Sequence, residues 1–337
     1  MKASPPTARF CLPMLASWLL ATMAFAATPP AAPAPQNPAP TAPADEDLYQ
    51  VGKALFDLYA PPEIKAQYEF VSREQWNGLL SGIQTALATG SLTDLAGYEQ
   101  QVRDTLDALR AIPGTEDIAD WLALQLDEIE AAKEAAQPPA PPPKPIPGEK
   151  PPPVIAAPAV PFYDLWMRRL HGRPAPARAA ELMPGLKAAF AAEGLPAPLA
   201  WLAEVESGLN PKARSPAGAR GLYQFMPATA HELGLSTVLP DDRTDPMKSA
   251  HASAQMLRRL HTRFGSWPLA LAAYNAGEGR VSRLLTAKRG KTYADIATDL
   301  PTETRLYVPK VLATLTLREG IAPEALPAPA RIATPTK

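Results

Sequence analysis

Apolar residues recur at helical spacing in two separate parts of the chain, which predicts a mainly α fold. In the first part the pattern predicts helices near residues 49–59, 76–87, 92–112 and 115–129. The second part starts near Phe162, and one of its helices is predicted to begin at the Asp245-Pro246 pair. The core face of that helix consists of small and branched apolar residues: Ala250, Ala254, Leu257 and Leu260.

The most informative pattern lies between residues 195 and 235. Leu199, Leu202 and Glu206 follow helical spacing, so Glu206 falls on the same stripe as the leucines. Glu204 lies two residues away and points to another side of the helix. The pattern therefore places one carboxylic acid on an apolar helix face.

The sequence also predicts that this helix ends just after Glu206. Gly208 is a weak helix former, and Asn210 precedes Pro211, which disfavours the helical conformation. Burial of a carboxyl group disfavours its anion and raises its pKa, which is what a general acid needs near neutral pH. The simpler interpretation is a salt-bridged or half-exposed glutamate with no catalytic role.

The following residues favour catalysis. Residues 218–227 bring together small residues, an amide and an aromatic ring, which suit a groove that admits a sugar chain. Residues 271–281 likewise place a tyrosine ring and an amide next to glycines, and a further motif, with a tyrosine, lies at 300–310. The pattern resembles the signatures of lytic transglycosylases with a goose-lysozyme-like catalytic domain, over residues 162–320. The first signature comprises Glu206-Ser207, Asn210-Pro211, Ala213, Ser215, Gly218-Ala219, Gly221-Leu222, Gln224, Met226-Pro227 and Thr229.

This resemblance implies a lysozyme-like helical domain that cleaves the N-acetylmuramic acid–N-acetylglucosamine bond of peptidoglycan, at strand ends or within strands. It implies that Glu206 is the single catalytic acid and base and that the product ends in 1,6-anhydro-N-acetylmuramic acid. Tyr307 would reach back to that acid. The residues expected to bind and orient the substrate are Ser207, Gln224, Met226, Tyr274, Asn275 and Tyr307. No metal and no cofactor is expected.

Two other functions remain open at this point. A muramidase hydrolase on the same scaffold needs a second carboxylate to position water. The sequence offers four candidates for that role: Asp241, Asp242, Asp245 and Glu278. The third possibility is a non-catalytic protein that binds or organises the cell wall.

The 42 prolines are clustered and divide the chain. Residues 1–27 resemble a secretory signal, with basic residues, an apolar run and a small-x-small cleavage pattern. Cys11, the only cysteine, lies within it, so an exported, periplasmic protein without disulfides is expected. The Pro-rich segments are two linkers and a disordered tail, at residues 28–44, 138–161 and 321–337.

The two predicted domains carry opposite charge. Residues 45–137 hold 18 acidic and 6 basic side chains, a net charge of −12, whereas residues 162–320 hold 14 and 21, a net charge of +7. The basic domain suits an anionic glycan, and no motif indicates nucleic acid. The acidic helical domain has no recognised role. We expect it either to dock a protein partner, to restrain the basic domain, or to act as an independent spacer.

Overall fold

The computed structural model describes residues 10–12, 53, 56–58, 60–70, 72–74, 91–110, 116–137, 159–215 and 218–330. Most of the predicted signal segment, the linker at 28–44 and the predicted helix at 76–87 lie outside these residues. No helix in the described part of the chain is long and apolar enough to cross a bilayer.

Two short strands and four helices of the N-terminal part lie wholly within the described residues, and residues 53, 56–58, 73 and 74 are helical as well. Strands β1 (Phe10–Leu12) and β2 (Tyr68–Phe70) pair in parallel, with Cys11 opposite Glu69. The helices are α1 (Pro62–Gln67), α2 (Leu92–Ala96), α3 (Glu99–Arg110) and α4 (Glu116–Ala135).

Two predictions for this part are wrong. The helix predicted over 92–112 is two helices, because the chain turns at Gly97, whose N–H caps α2. Leu58 does not join a buried stripe, since 72% of its surface is exposed. The prediction for 115–129 is confirmed in its described residues, where Trp121, Leu122 and Ile129 are buried on α4.

Over its described residues, all helices and strands named for the second part are helices, joined by loops that contain isolated β-bridges at Arg214, Arg220 and Phe225. Its α-helices are α5 (Tyr163–Leu170), α6 (Ala179–Ala192), α7 (Leu202–Ser207), α8 (Pro227–Glu232), α9 (Pro246–Phe264), α10 (Trp267–Ala276), α11 (Glu278–Lys288) and α12 (Thr302–Glu319). Short 3-10 turns lie at Ala197–Trp201, Asp242–Thr244, Ala297–Asp299 and Pro323–Ala325. The predicted mainly helical fold is confirmed.

The start of α9 forms as its sequence predicts. The Asp245 carboxylate accepts hydrogen bonds of 2.9 Å from the backbone N–H groups of Met247 and Lys248, which satisfies two donors at the helix end. Pro246 occupies the first turn, where its missing N–H costs little. The four residues predicted for the core face of α9 are all fully buried.

Helix α12 lies at the centre of the fold. Every residue from Leu306 to Leu315 is buried, including the polar Lys310 and Thr314. A helix enclosed on all sides has neighbours on every face. Those neighbours include α4, α5, α7 and α10.

The acidic N-terminal part shares a core with the second part. Trp166 of α5 and Leu306 of α12, both with no exposed surface, pack in one cluster with Trp121 and Leu122 of α4. The structure therefore corrects the expectation of an independent spacer domain, because α4 buries its apolar face against the basic part of the chain.

The segment after α12 is also part of the fold, and the predicted disordered tail is wrong for residues 321–330. The carbonyl of Pro327 accepts a 2.9 Å hydrogen bond from the Trp267 indole, and Leu326 is buried. The N–H of Ala330 donates to the carbonyl of Gly194 at 2.7 Å. These contacts fasten the segment to the core.

We predict that Trp166→Ala lowers the free energy of unfolding by about 3–5 kcal/mol, because it empties a large volume where α4, α5 and α12 meet. Denaturant unfolding monitored by circular dichroism measures the change. Leu239→Ala is the matched control, since Leu239 is 95% exposed and its truncation should change stability by less than about 0.5 kcal/mol. A similar small change for both variants would contradict the prediction.

Candidate active site

Glu206 occupies the last turn of the short helix α7. The preceding residues, Ala197–Trp201, wind as a 3-10 turn rather than as the α-helix that the spacing suggests. The helix ends at Gly208 in the left-handed conformation, with φ of 59°. The predicted end of the helix is thus confirmed, and it leaves Glu206 at the boundary between core and solvent.

The Glu206 carboxyl group is held by a tyrosine from the central helix. The hydroxyl of Tyr307 donates a 2.5 Å hydrogen bond to Glu206 Oε1. Burial raises the pKa of Glu206 to about 8, although the bond from Tyr307 opposes the shift. The carboxyl group is therefore protonated at neutral pH, while the residue remains partly accessible. That is the state a general acid requires.

Helix α10 brings Tyr274 and Asn275 to the same place. The Tyr274 hydroxyl donates to the carbonyl of Tyr223 at 3.1 Å, and proximity to Glu206 is one reason why its pKa lies well above 10.0, after burial. The Asn275 amide donates to Glu303 Oε1 at 3.1 Å, and its carbonyl accepts from the Thr304 hydroxyl at 2.6 Å.

Glu303 is a second acid at this site, half-buried, that the sequence patterns did not indicate. Burial raises its pKa to about 7, and the hydrogen bond from Asn275 opposes the shift. Its charge in turn contributes to the raised pKa of Glu206. Glu303 and Tyr307 are four residues apart on α12 and so share a face. That spacing, within the signature at 300–310, is the signal that could have identified Glu303.

The loop between α7 and α8 is shaped by a close backbone approach. Gly221 has φ of 80°, and a Cβ atom there would lie 1.7 Å from the carbonyl oxygen of Arg243. The buried Arg243 side chain donates to the carbonyls of Gly218 and Phe225, at 2.8 and 3.1 Å, and pairs with Asp241. Arg243, which no pattern in the sequence singled out, therefore fixes the shape of this loop.

The loop and its flanks carry the other three residues predicted to contact the substrate. Gln224 is half-buried with φ of 47°, and its amide donates to the carbonyl of Gly221 at 2.8 Å. Met226 is half-buried and caps the start of α8. Ser207 is buried, and its hydroxyl lies 3.0 Å from the carbonyls of Ala203 and Leu222, so it holds α7 to the loop.

The four acids proposed from the sequence as a second carboxylate all have structural partners. Asp241 pairs with Arg243 and Arg220, and Asp245 caps α9. The remaining two pair with basic side chains: Asp242 with Lys248, and Glu278 with Arg259 and Arg263.

Glu204 points away from the site as predicted, and Arg318 binds both of its carboxylate oxygens, at 2.6 and 2.9 Å. In the described part of the chain, no group of three or more His, Cys, Asp or Glu side chains could hold a metal ion.

Comparison with known proteins finds a family model that matches the segment holding most of this site. The family model of the Transglycosylase SLT domain matches residues 186–296, a segment that contains Glu206, Gln224, Tyr274 and Asn275. Residues 186–296 are therefore similar to a transglycosylase SLT domain. The resemblance to lytic transglycosylases that the sequence indicated is confirmed over this segment.

Over part of its length, the chain is similar to lytic murein transglycosylases. Membrane-bound lytic murein transglycosylase D of Escherichia coli K12 is 42% identical over 123 residues, which is 35% of this chain and 27% of that protein. Membrane-bound lytic murein transglycosylase F of Alcanivorax borkumensis is 40% identical over 116 residues, 31% of this chain and 24% of that protein. The chain thus spans about a quarter of the length of these relatives.

A solved structure is similar to a larger share of the chain. The crystal structure of the 70 kDa soluble lytic transglycosylase of Escherichia coli aligns with 77% of this chain and 56% of its own, at 20% identity and a TM-score of 0.38.

We predict that Gly221→Ala destabilises the protein by at least ~2 kcal/mol more than Gly218→Ala, because the new methyl group meets the Arg243 carbonyl. Gly218 is the matched control: its φ is 84°, but no atom lies within 4 Å of an added Cβ. The Gly218→Ala variant should lose only the ~1–2 kcal/mol that a side chain costs at a residue in the left-handed backbone conformation. Thermal and denaturant unfolding of both variants give the difference, and equal losses would disprove it.

We predict that Glu206→Gln stabilises the protein at alkaline pH. The pKa of Glu206 rises from 4.5 to about 8 on folding, so between these values the folded state keeps a proton that the unfolded state has released. Stability therefore falls as the pH rises through this interval, and glutamine removes the loss. The variant should match the wild type near pH 4 and be more stable by a few kcal/mol near pH 9.

The measurement is denaturant unfolding from pH 4 to 9. Glu278→Gln is the control, since it removes a carboxylate that is paired with arginines at the surface and should not stabilise the protein at any pH. A constant difference between Glu206→Gln and the wild type across the series would show that Glu206 does not carry the raised pKa.

Proposed function

We propose that this chain is a peptidoglycan lytic transglycosylase that cleaves the N-acetylmuramic acid–N-acetylglucosamine bond. The observation that supports it most strongly is the hydrogen bond from Tyr307 to Glu206, a residue whose pKa burial raises to about 8 and which lies in the segment that matches the SLT domain. Ordinary glycosidases use two carboxyl groups, one as the general acid and the other as the base or nucleophile. Here one acid has the position and the protonation state to act first as donor and then as acceptor.

In the first step, the protonated Glu206 carboxyl donates its proton to the glycosidic oxygen, and the bond from C1 of the muramic acid to that oxygen breaks. N-acetylglucosamine leaves with the proton as a free hydroxyl. The substrate's own acetamido oxygen supports the positive charge that develops at C1. Tyr307 remains hydrogen-bonded to the carboxyl group and stabilises it as an anion once the proton has left.

In the second step, the Glu206 carboxylate accepts the proton of the C6 hydroxyl of the same muramic acid. The C6 oxygen attacks C1 and closes the 1,6-anhydro ring, which restores protonated Glu206. No water enters the balance. The product end is therefore one water lighter than a hydrolysed end.

The other predicted residues surround this reaction. Gln224, Met226, Tyr274 and Asn275 are half-buried, so each offers surface to a glycan. Ser207 acts by joining α7 to the loop that carries Gln224. The basic charge of this part of the chain suits strands that carry muramic and peptide carboxylates.

A muramidase hydrolase is the second candidate, because Glu303 is a buried carboxyl group close enough to influence the charge of Glu206. In that reaction Glu303 would activate a water molecule while Glu206 donates its proton. A non-catalytic wall-binding protein is the third, and it predicts no turnover. The chain acts in the cell envelope under all three functions, consistent with the signal-like residues 1–27.

We predict that Glu206→Gln reduces glycan cleavage by about a hundred- to ten-thousand-fold, because the amide accepts the Tyr307 hydrogen bond but cannot deliver a proton. Turnover of purified peptidoglycan by the full chain, followed by release of soluble muropeptides, measures the loss. Mass spectrometry of the wild-type products identifies the reaction, since anhydro ends support the lyase and reducing ends the hydrolase.

Glu204→Gln is the matched control, two residues away and on another side of α7, and should cleave at close to the wild-type rate. Because Glu204 pairs with Arg318, its unfolding curve must be recorded to show that the tested protein is folded. A folded Glu206→Gln protein with near-normal turnover would remove Glu206 from the mechanism.

A further inference from the structure

The acidic helix α4 is joined to the SLT-bearing part of the chain by a row of ion pairs. Arg169 of α5 contacts Asp127 and Glu130 at 3.0 and 2.8 Å, and Arg173 contacts Asp127 at 2.8 Å. Burial opposes ionisation of Asp127, but its three cationic neighbours, Lys310, Arg173 and Arg169, hold its pKa at about 2. These carboxylates of α4 are therefore paired with specific basic side chains of the second part of the chain.

The innermost partner of α4 is a buried lysine of the central helix. Lys310 is only 3% exposed, and its Nζ lies 3.2 Å from Glu128 and 3.8 Å from Asp127. The same Nζ lies 5.0 Å from the centre of the Trp166 ring. A buried ammonium group is costly unless it is paired, and α4 supplies both carboxylates that pair with it.

Lys310 belongs to the face of α12 that also carries the catalytic groups. It follows Tyr307 by three residues and Glu303 by seven, so the three side chains lie along one side of the helix. Helix α4 also packs against α7, the helix that holds Glu206. The acidic helix thus touches both elements that meet in the Glu206–Tyr307 hydrogen bond.

We propose that α4 contributes to the active site. Its Glu128, through the ion pair with Lys310, is a positioning residue that sets the electrostatic environment of Glu206 and Glu303. This inference rests on the proposed function, in which Glu206 is the catalytic acid. It assigns the acidic part of the chain a role within the enzyme rather than on a separate partner.

The charged groups around the two acids support this role. Glu206 is faced by Tyr307, Glu303 and Lys310 of α12 and by Glu128 of α4. Tyr274 of α10 also lies within reach of its charge.

Glu303 is faced by Glu128 as well, together with Asn275 of α10 and Arg280 of α11. Glu128 raises the pKa of both acids, and Lys310 lowers that of Glu206. Glu128 therefore favours the protonated form of Glu206 in two ways. Its own negative charge acts directly, and its ion pair neutralises the positive charge of Lys310, which favours the anion.

The docked helix supports the acid without covering it. Glu206 and Glu303 both remain partly accessible with α4 in place. If α4 left, Lys310 would be buried without a carboxylate partner and the apolar face of α4 would be exposed. These contacts favour permanent support over the transient restraint that opposite charge alone suggested.

The test is a comparison of Glu128→Gln with Glu134→Gln in the full chain. Glu134 is on the same helix and pairs with Arg168 and Arg169 of α5, so each variant removes one carboxylate that α4 pairs with a basic residue of the second part of the chain. The pKa of Glu206 is measured directly by carbon-13 NMR titration of glutamate carboxyl groups, with Glu206→Gln to assign the signal. This readout does not depend on any turnover.

We expect Glu128→Gln to lower the pKa of Glu206 by on the order of half a pH unit, and Glu134→Gln to leave it unchanged. The falling limb of the pH–turnover profile should move the same way. Equal shifts in the two variants, or none, would overturn the proposal. Absent turnover with the expected titration shift would instead count against the proposed function alone.

If Glu128→Gln does not fold, because Lys310 is left buried with a single distant carboxylate, the double variant Glu128→Gln/Lys310→Met removes the pair together. Glu303 is then the reporter, since Glu128 raises its pKa. A downward shift of the Glu303 titration supports the proposal, and an unchanged titration overturns it.

Discussion

The hydrogen bond between Tyr307 and Glu206 joins the central helix α12 to the short helix α7, and the candidate site is built around it. A carboxyl group that must hold its proton at neutral pH has to be withdrawn from water, and a group that must later carry a charge has to keep a donor beside it. Helix α7 meets the first condition by ending at the edge of the core. Helix α12 meets the second from the opposite side.

The central helix therefore carries polar groups through the most buried part of the fold, and its neighbours are arranged to satisfy them. Asn275 bonds to Glu303 and Thr304, and α4 supplies carboxylates to Lys310. Each of these contacts lowers the cost of a buried polar side chain. The same contacts hold α4, α10 and α12 together. They therefore contribute both to the packing of the fold and to the polar environment of the site.

The sequence predicted those features that are determined within a few residues. The cap of α9 at Asp245, the end of α7 at Gly208 and the apolar stripe that holds Glu206 all follow from local spacing and backbone preference. The family signatures added Tyr274 and Tyr307. Features created by contacts between distant segments were missed, namely the half-buried acid Glu303, the loop-holding Arg243, the docking of α4 and the ordered residues 321–330. In each of these features, the residue makes its decisive contact with a segment that lies far away along the chain.

The distance in sequence between Glu206 and its partner has a consequence for biosynthesis. The two residues are 101 positions apart, and contacts of such separation form late because a long loop must first close. A chain that is still being made, or that is cut short before residue 307, contains the acid without the tyrosine that holds it. The Glu206–Tyr307 pair, on which the proposed activity depends, can therefore form only after residue 307 has been synthesised and the helices that carry the two residues have packed.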